Sequence, residues 1–144
     1  MGIHVEKVIY AAPSEVARVM FDSLNESGWI TGVGAAEQLT PGPLAVGSRT
    51  RRQGNVLGAG FDWVTEVTAL EPDRLLKMKF VEGPIHGELT FEVTPTAGGS
   101  IAIVRNDDAK RSPIGTWALQ STIEGDLRRL AALVASKQAH SQTA

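Results

Sequence analysis

The chain has 144 residues, 42% of them hydrophobic, a formal net charge of −2 and no cysteine. That length suits one compact domain that buries about 70% of the surface its unfolded chain exposes, enough for a core with room for a pocket. The lack of cysteine excludes disulfides, thiolate metal sites and a cysteine nucleophile, and the charge balance argues against nucleic acid, whose binding draws on a strongly basic surface.

Residues 3–10 are rich in β-branched and aromatic side chains and read as a strand. Glu6 and Lys7 interrupt the apolar run that a signal peptide needs, and no later segment approaches the length of a membrane span. The expectation is a cytoplasmic protein with no membrane insertion. In "AAPSEVARVMF", Pro13 suits a first helical turn, Glu15 suits its positive end, and Val16, Val19 and Met20 share one face. The polar, glycine-containing "DSLNESG" ends that helix.

Six segments of strand character follow, at 34–40, 47–53, 61–70, 74–82, 87–94 and 100–107, joined by stretches of turn composition such as "TPGPLAVG" and "PTAGG". After a start signal at Ser112-Pro113, Leu119, Ile123, Leu127, Leu130 and Val134 form one stripe of a long helix, with Glu124 and Arg128 spaced to pair on its side. Residues 137–144 lack periodicity and read as a frayed tail, leaving a single domain over 1–136. Consecutive short connections imply an antiparallel sheet, and only the C-terminal helix is long enough to cover its apolar face.

Pairing the strands through their turns assigns the faces. A turn at "EPDR" sets Thr65 opposite Phe80 and Val67 opposite Met78; a turn between Pro84 and Ile85 then sets Phe80 opposite Leu89 and Met78 opposite Phe91. One face collects Trp63, Val67, Leu76, Met78, Phe80, Leu89, Phe91 and Val93. The other carries Asp62, Glu66, Lys77, Lys79, Glu88 and Glu92, the pattern of a solvated side. Continued across "GNVLGAG", this register sets Arg51 inward beside Trp63 and Arg52 outward against Asp62; a slip of one residue reverses the two. Strand 100–107 allows either Ala102, Val104 and Asn106 inward or Ile101, Ile103 and Arg105.

"APSEVARVMFD", "SGWITGV", "LAVGSRTRRQG", "WVTEVTALEPDRLLKMKF" and "GELTFEVTPTAGGSIAI", followed by a long helix, resemble the START-like superfamily, in its polyketide cyclase/dehydrase-like branch. The resemblance spans residue 3 to about 136 and rests on the ordered set, above all Trp29-x-x-Gly32-Val33, the "TALEPDRLL" turn and Gly98-Gly99-Ser100. It implies an α+β helix-grip fold: a curved seven-stranded antiparallel sheet wrapped around the C-terminal helix, two short helices after the first strand, and an internal hydrophobic cavity. Ala17 stands where the family often has a bulky aromatic, which implies looser packing of the first helix.

The leading functional expectation is a small-molecule binding protein that holds an apolar or aromatic ligand between sheet and helix. Its candidate ligand-binding residues are Arg51, Trp63, Met78, Phe80, Leu89, Phe91, Trp117 and Gln120, with Arg51 as a polar anchor for a carboxylate or phenolate and Gly125 leaving space in the helix. The alternatives are a polyketide cyclase or dehydratase-like enzyme, with Arg51, Gln120, Glu124 or Asn106 handling protons, and a protein-interaction module with a filled core. Catalytic residues stay unassigned; His86 at a loop and Asp108 at the rim are weaker candidates. No two histidines have ligand spacing, Gly32-x-Gly34-x-x-Glu37 lacks the flanking strand and helix of a dinucleotide loop, and no metal or cofactor is expected. A homodimer is left open.

Overall fold

The computed structural model describes residues 2–56, 58–107 and 116–142, without the side chains of 56, 116–118 and 140–142. Strand β1 (Ile3–Ile9) leads into helix α1 (Pro13–Met20) and a 3-10 helix (Ser23–Gly28). Strands β2 (Val33–Gln38), β3 (Arg49–Val56), β4 (Ala59–Glu71), β5 (Leu75–Glu82), β6 (Glu88–Thr96) and β7 (Gly99–Asn106) follow, then helix α2 (Thr116–Gln142). The six strand segments read from the sequence are all present. The start signal at 112–113 lies outside the described residues, and the helix continues over most of the segment read as a tail.

Among the described residues the seven strands form one antiparallel sheet in the order β1-β7-β6-β5-β4-β3-β2. Register shifts at Val64/Thr65 and Val67/Ala69 bend the long β4, and another at Val33/Ala35 bends β2; an extra residue in one strand of a pair increases its twist. The sheet curls into a half-barrel around α2, the helix-grip arrangement. Val16, Met20, Trp29, Leu76, Met78, Phe91, Val93, Ala102 and Val104 meet the α2 stripe Ile123, Leu127, Leu130 and Val134 in one apolar cluster. For β7, therefore, Ala102 and Val104 point inward. Glu124 and Arg128 are both exposed on α2.

Two parts of the expected register change. Met78 pairs with Leu89 and Leu76 with Phe91, two residues from the expected pairing, so each side chain keeps its face. Across β3 and β4 the shift is a single residue: Val56 pairs with Ala59, the connection holds two positions, and Arg52 pairs with Trp63 while Arg51 pairs with Val64. Arg52 therefore points into the half-barrel and Arg51 into solvent, the reverse of the expectation, because side chains alternate along a strand. Arg52 makes no ion pair with Asp62; on the convex face Arg49 bonds Glu66 instead.

Two glycines frame the inward indole of Trp63. A Cβ on Gly54 would lie 1.7 Å from the Gly32 carbonyl oxygen and 3.1 Å from Trp63 Cη2, so β3 passes the chain before β2 at a distance only glycine permits. Gly83, at φ +106°, leaves room for Trp63 Cβ in a conformation that L side chains rarely adopt.

Candidate functional site

The concave wall formed by β3, β4 and β5 carries a buried polar cluster. Arg52 reaches inward from β3 and meets Glu26 on the 3-10 helix, with Nε donating to Oε1 at 2.5 Å and Nη2 donating to Oε2 at 2.8 Å. Its Nη1 donates to Thr65 Oγ1 at 2.5 Å, and Met78 Sδ lies 3.7 Å from both Nη2 and the Thr65 hydroxyl. Glu26 is 2% exposed and Arg52 4%. A charged group is held at such depth only when paired and hydrogen-bonded, and the planar guanidinium matches the carboxylate fork.

The 3-10 helix exists to the extent that both its ends are tied. Asp22 caps it by accepting from Leu24 N at 3.0 Å, and the Glu26 carbonyl accepts from the backbone N–H groups of Trp29 and Ile30. Residues three apart in such a helix lie one above the other, so Glu26 and Trp29 both turn inward. Beyond Trp29, Asp126 of α2 accepts from Thr31 N at 2.9 Å and from Thr31 Oγ1 at 2.7 Å, while Arg129 donates to the Trp29 carbonyl at 3.2 Å and to Asp126. Burial pushes the Asp126 carboxyl above its ordinary range, against the opposing pull of Thr31 and Arg129. The segment is thereby fastened to the sheet on one side and to α2 on the other.

Trp29, 1% exposed, packs its ring against Phe91 with centroids 5.4 Å apart. Its indole Nε1–H is buried and has no hydrogen-bond partner among the described residues.

Of the expected ligand-binding residues, Trp63, Met78 and Phe91 are buried on the concave face, Leu89 packs partly buried against the core, and Phe80 is partly buried opposite Thr65. Arg51 and Gln120 are exposed. The side chain of Trp117 and all of Asp108 lie outside the described residues. Gly125 does not open space toward the aromatic groups: a Cβ there would meet the Arg128 and Arg129 guanidinium groups at 3.6 Å. His86 is exposed in the β5–β6 connection, and the described residues hold no cluster of three metal-ligating side chains.

Glu26, Trp29 and Thr65 were not singled out as site residues. The signal available for Glu26 was conditional: if Arg52 is the inward arginine, a buried acid must answer it, and Glu26 lies in "NESGW", a stretch of turn composition where the resemblance implies a second short helix.

A separate surface cleft of about 450 Å³ is lined by Ala17, Arg18 and Phe21 near the end of α1, by Pro43 and Leu44 of the β2–β3 connection, and by Leu70 and Asp73 at the β4–β5 turn. The small side chain of Ala17 forms part of its wall, but among the described residues none of the expected ligand-binding residues does.

A family model described as polyketide cyclase/dehydrase and lipid transport matches residues 2–135. Among curated proteins none matches. Solved structures are similar in fold at low identity. Protein NE0264 from Nitrosomonas europaea superposes with a TM-score of 0.78 at 11% identity, covering 96% of this chain and 97% of its own. TTHA0849 from Thermus thermophilus gives 0.75 at 17%, covering 95% and 99%. The Zhui aromatase/cyclase from Streptomyces sp. R1128 gives 0.69 at 15%, covering 94% and 93%.

Proposed function

Because the chain belongs to the polyketide cyclase/dehydrase and lipid transport family, we propose that it binds an apolar or aromatic small molecule between the concave sheet face and α2. Trp63, Met78 and Phe91 supply apolar walls, and Arg52, paired with Glu26, stands inward where Arg51 was expected. The observation that carries this reading is the buried, unpartnered Trp29 N–H beside Phe91. Buried polar atoms in a filled core are almost always satisfied, and each exception calls for a partner; a ligand oxygen is one such partner and an ordered water another. Binding would draw on apolar burial worth about 25 cal/mol per Å² before ordering costs.

Native mass spectrometry of the purified protein, set against its denatured mass, tests the reading and also reports whether the chain is a homodimer. A stoichiometric apolar or aromatic passenger is expected, lost on Trp63→Ala or Phe91→Ala. An empty spectrum together with no uptake of any aromatic probe would sink the proposal and leave a filled core acting through its surface.

One observation favours a cyclase or dehydratase as the second reading: a carboxylate and a guanidinium, Glu26 and Arg52, stand together on the same wall. Turnover that falls in Arg52→Met while ligand binding persists would separate catalysis from carriage.

A further inference from the structure

We propose that the surface around the α1 cleft is the interface of a homodimer, in which the exposed Val46 of each copy enters the cleft of the other and Arg18 of each copy meets Asp73 of the other. The proposal is independent of what the concave face binds.

The surface presents both halves of an apolar contact. Phe21, Leu44 and Leu70 are partly buried in the cleft walls, and Pro43 and Pro72 stand exposed at its rim. Of the five large hydrophobic side chains exposed among the described residues, Leu24, Leu39 and Val46 stand within two residues of the lining positions Ser23, Gln38 and Leu44. Val46 is 65% exposed at the corner of a turn that the Ser48 N–H closes on the Ala45 carbonyl, with Gly47 at φ +92° in the position that calls for a left-handed backbone. Apolar residues scattered singly over a surface are ordinary, whereas a group of them around one apolar cleft marks an interaction surface.

The loop that carries Val46 is already fixed. Gln38 Nε2 donates to the carbonyls of Thr40 and Gly42 at 2.7 and 2.8 Å, Thr40 Oγ1 accepts from Arg49 N at 2.9 Å, and Ser48 Oγ accepts from Ala45 N at 3.0 Å. Gly47 N donates to the Val67 carbonyl at 2.8 Å, which ties the loop to β4. A preformed surface loses little conformational freedom when it is covered.

Charge and shape select a second copy as the occupant. Arg18 on the α1 wall and Asp73 on the β4–β5 turn are exposed, and neither side chain has a hydrogen-bond or ion-pair partner among the described residues. Asp22, by contrast, is engaged in capping Leu24 N. A twofold axis through the cleft sets residues of opposite walls against each other, so Arg18 of one copy faces Asp73 of the other and the pairing repeats by symmetry. A patch used in this way must contain its own complement, and this one joins protrusion to cleft and cation to anion. A membrane fits worse, because an anionic leaflet attracts a basic cluster and the lining has one cation against two carboxylates. A small molecule fits worse too, because such sites enclose most of their ligand and these rims stand open. Twelve residues line the cleft and three flank it, fewer than the roughly 20–30 a side of a standard interface, so the expected dissociation constant is micromolar rather than nanomolar.

Sedimentation velocity of the full chain from about 1 to 300 µM, in about 50 mM salt at pH 7.5, tests the proposal under weak screening. A concentration-dependent dimer is expected. Val46→Asp, at a solvent-exposed position, should weaken it about tenfold or more by carrying a charge into the cleft, and Arg18→Asp and Asp73→Arg should each do the same, because symmetry counts every substitution twice. Arg18→Asp/Asp73→Arg together should return the dissociation constant to within about threefold of wild type, a coupling that two merely destabilising substitutions would not show.

A wild type that stays monomeric overturns the proposal, as does a dimer that Val46→Asp leaves unchanged or a double reversal no tighter than the single variants. Asp73 has φ +62°; where Asp73→Arg fails to fold, Asp73→Asn decides, because asparagine shares the tolerance of aspartate for that region. It should weaken the dimer about threefold or more, and an unchanged constant overturns the proposal.

Discussion

Arg52 and Glu26 are each tolerated at their depth only because of the other. Removing one leaves a buried uncompensated charge, so Glu26→Ala should cost about 3–5 kcal/mol in urea unfolding, whereas Glu26→Met/Arg52→Met should be close to neutral or stabilising. A loss in the double variant as large as in the single one would mean that the pair is structural in its own right. Asp126 titrates with the opposite sign from most native carboxylates. Burial raises its folded pKa above 3.8, so its ionised form weighs against the folded state, fully so above the folded pKa, and that burden lifts as pH falls toward 3.8. Stability of the wild type relative to Asp126→Asn should therefore grow in urea melts taken at successively lower pH; a difference independent of pH would refute the assignment. At this scale the sequence was least legible. Arg51 and Arg52 are chemically identical neighbours, and a single residue of register decides which is buried.

At the scale of elements, β3 runs so close to the segment before β2 that Gly54 has no room for a side chain. Gly54→Ala should cost more than about 3 kcal/mol, the upper end of over-packing penalties. Gly42→Ala is the control: φ is +91° but nothing lies within 4 Å of the added Cβ, so only the left-handed backbone cost of about 1–2 kcal/mol applies. Equal effects in thermal melts would show that the close approach is relieved elsewhere. The helix α2 buries Leu127 completely, and Leu127→Ala should cost about 2–5 kcal/mol. That stripe, like the strand positions, was legible, because periods of 3.6 and 2 are carried by local side-chain order. The 3-10 helix was legible only through the family resemblance, which implies a second short helix there: "DSLNESG" by itself has turn composition, and the helix is held by Arg52, Asp126 and Arg129, which lie far along the chain.

For the molecule as a whole, the convex face is a solvated set of ion pairs, Arg49 and Lys79 on Glu66, Lys77 on Glu88 and Arg105 on Glu92. The Arg49 hydrogen bond holds Glu66 below its usual range, so its contribution is complete above 4.5 and is lost as pH falls through the lower folded pKa. Glu66→Gln should flatten that acid limb, and salt should do the same to the wild type. The concave face is its opposite, mainly apolar, with Arg52, Thr50, Thr65 and Ser100 among its buried polar side chains, and Glu26 reaches Arg52 from the 3-10 helix. The sequence by itself determined a single α+β domain, its strand order along the chain, the charged and apolar faces of β4 to β6 and the covering helix, since hydrophobic periodicity and turn chemistry are local. Only the tertiary structure decided which arginine is internal, which acid neutralises it and which indole N–H is left without a partner among the described residues. Those outcomes depend on a two-position connection between β3 and β4 and on contacts between elements far apart in the chain, which no local pattern encodes.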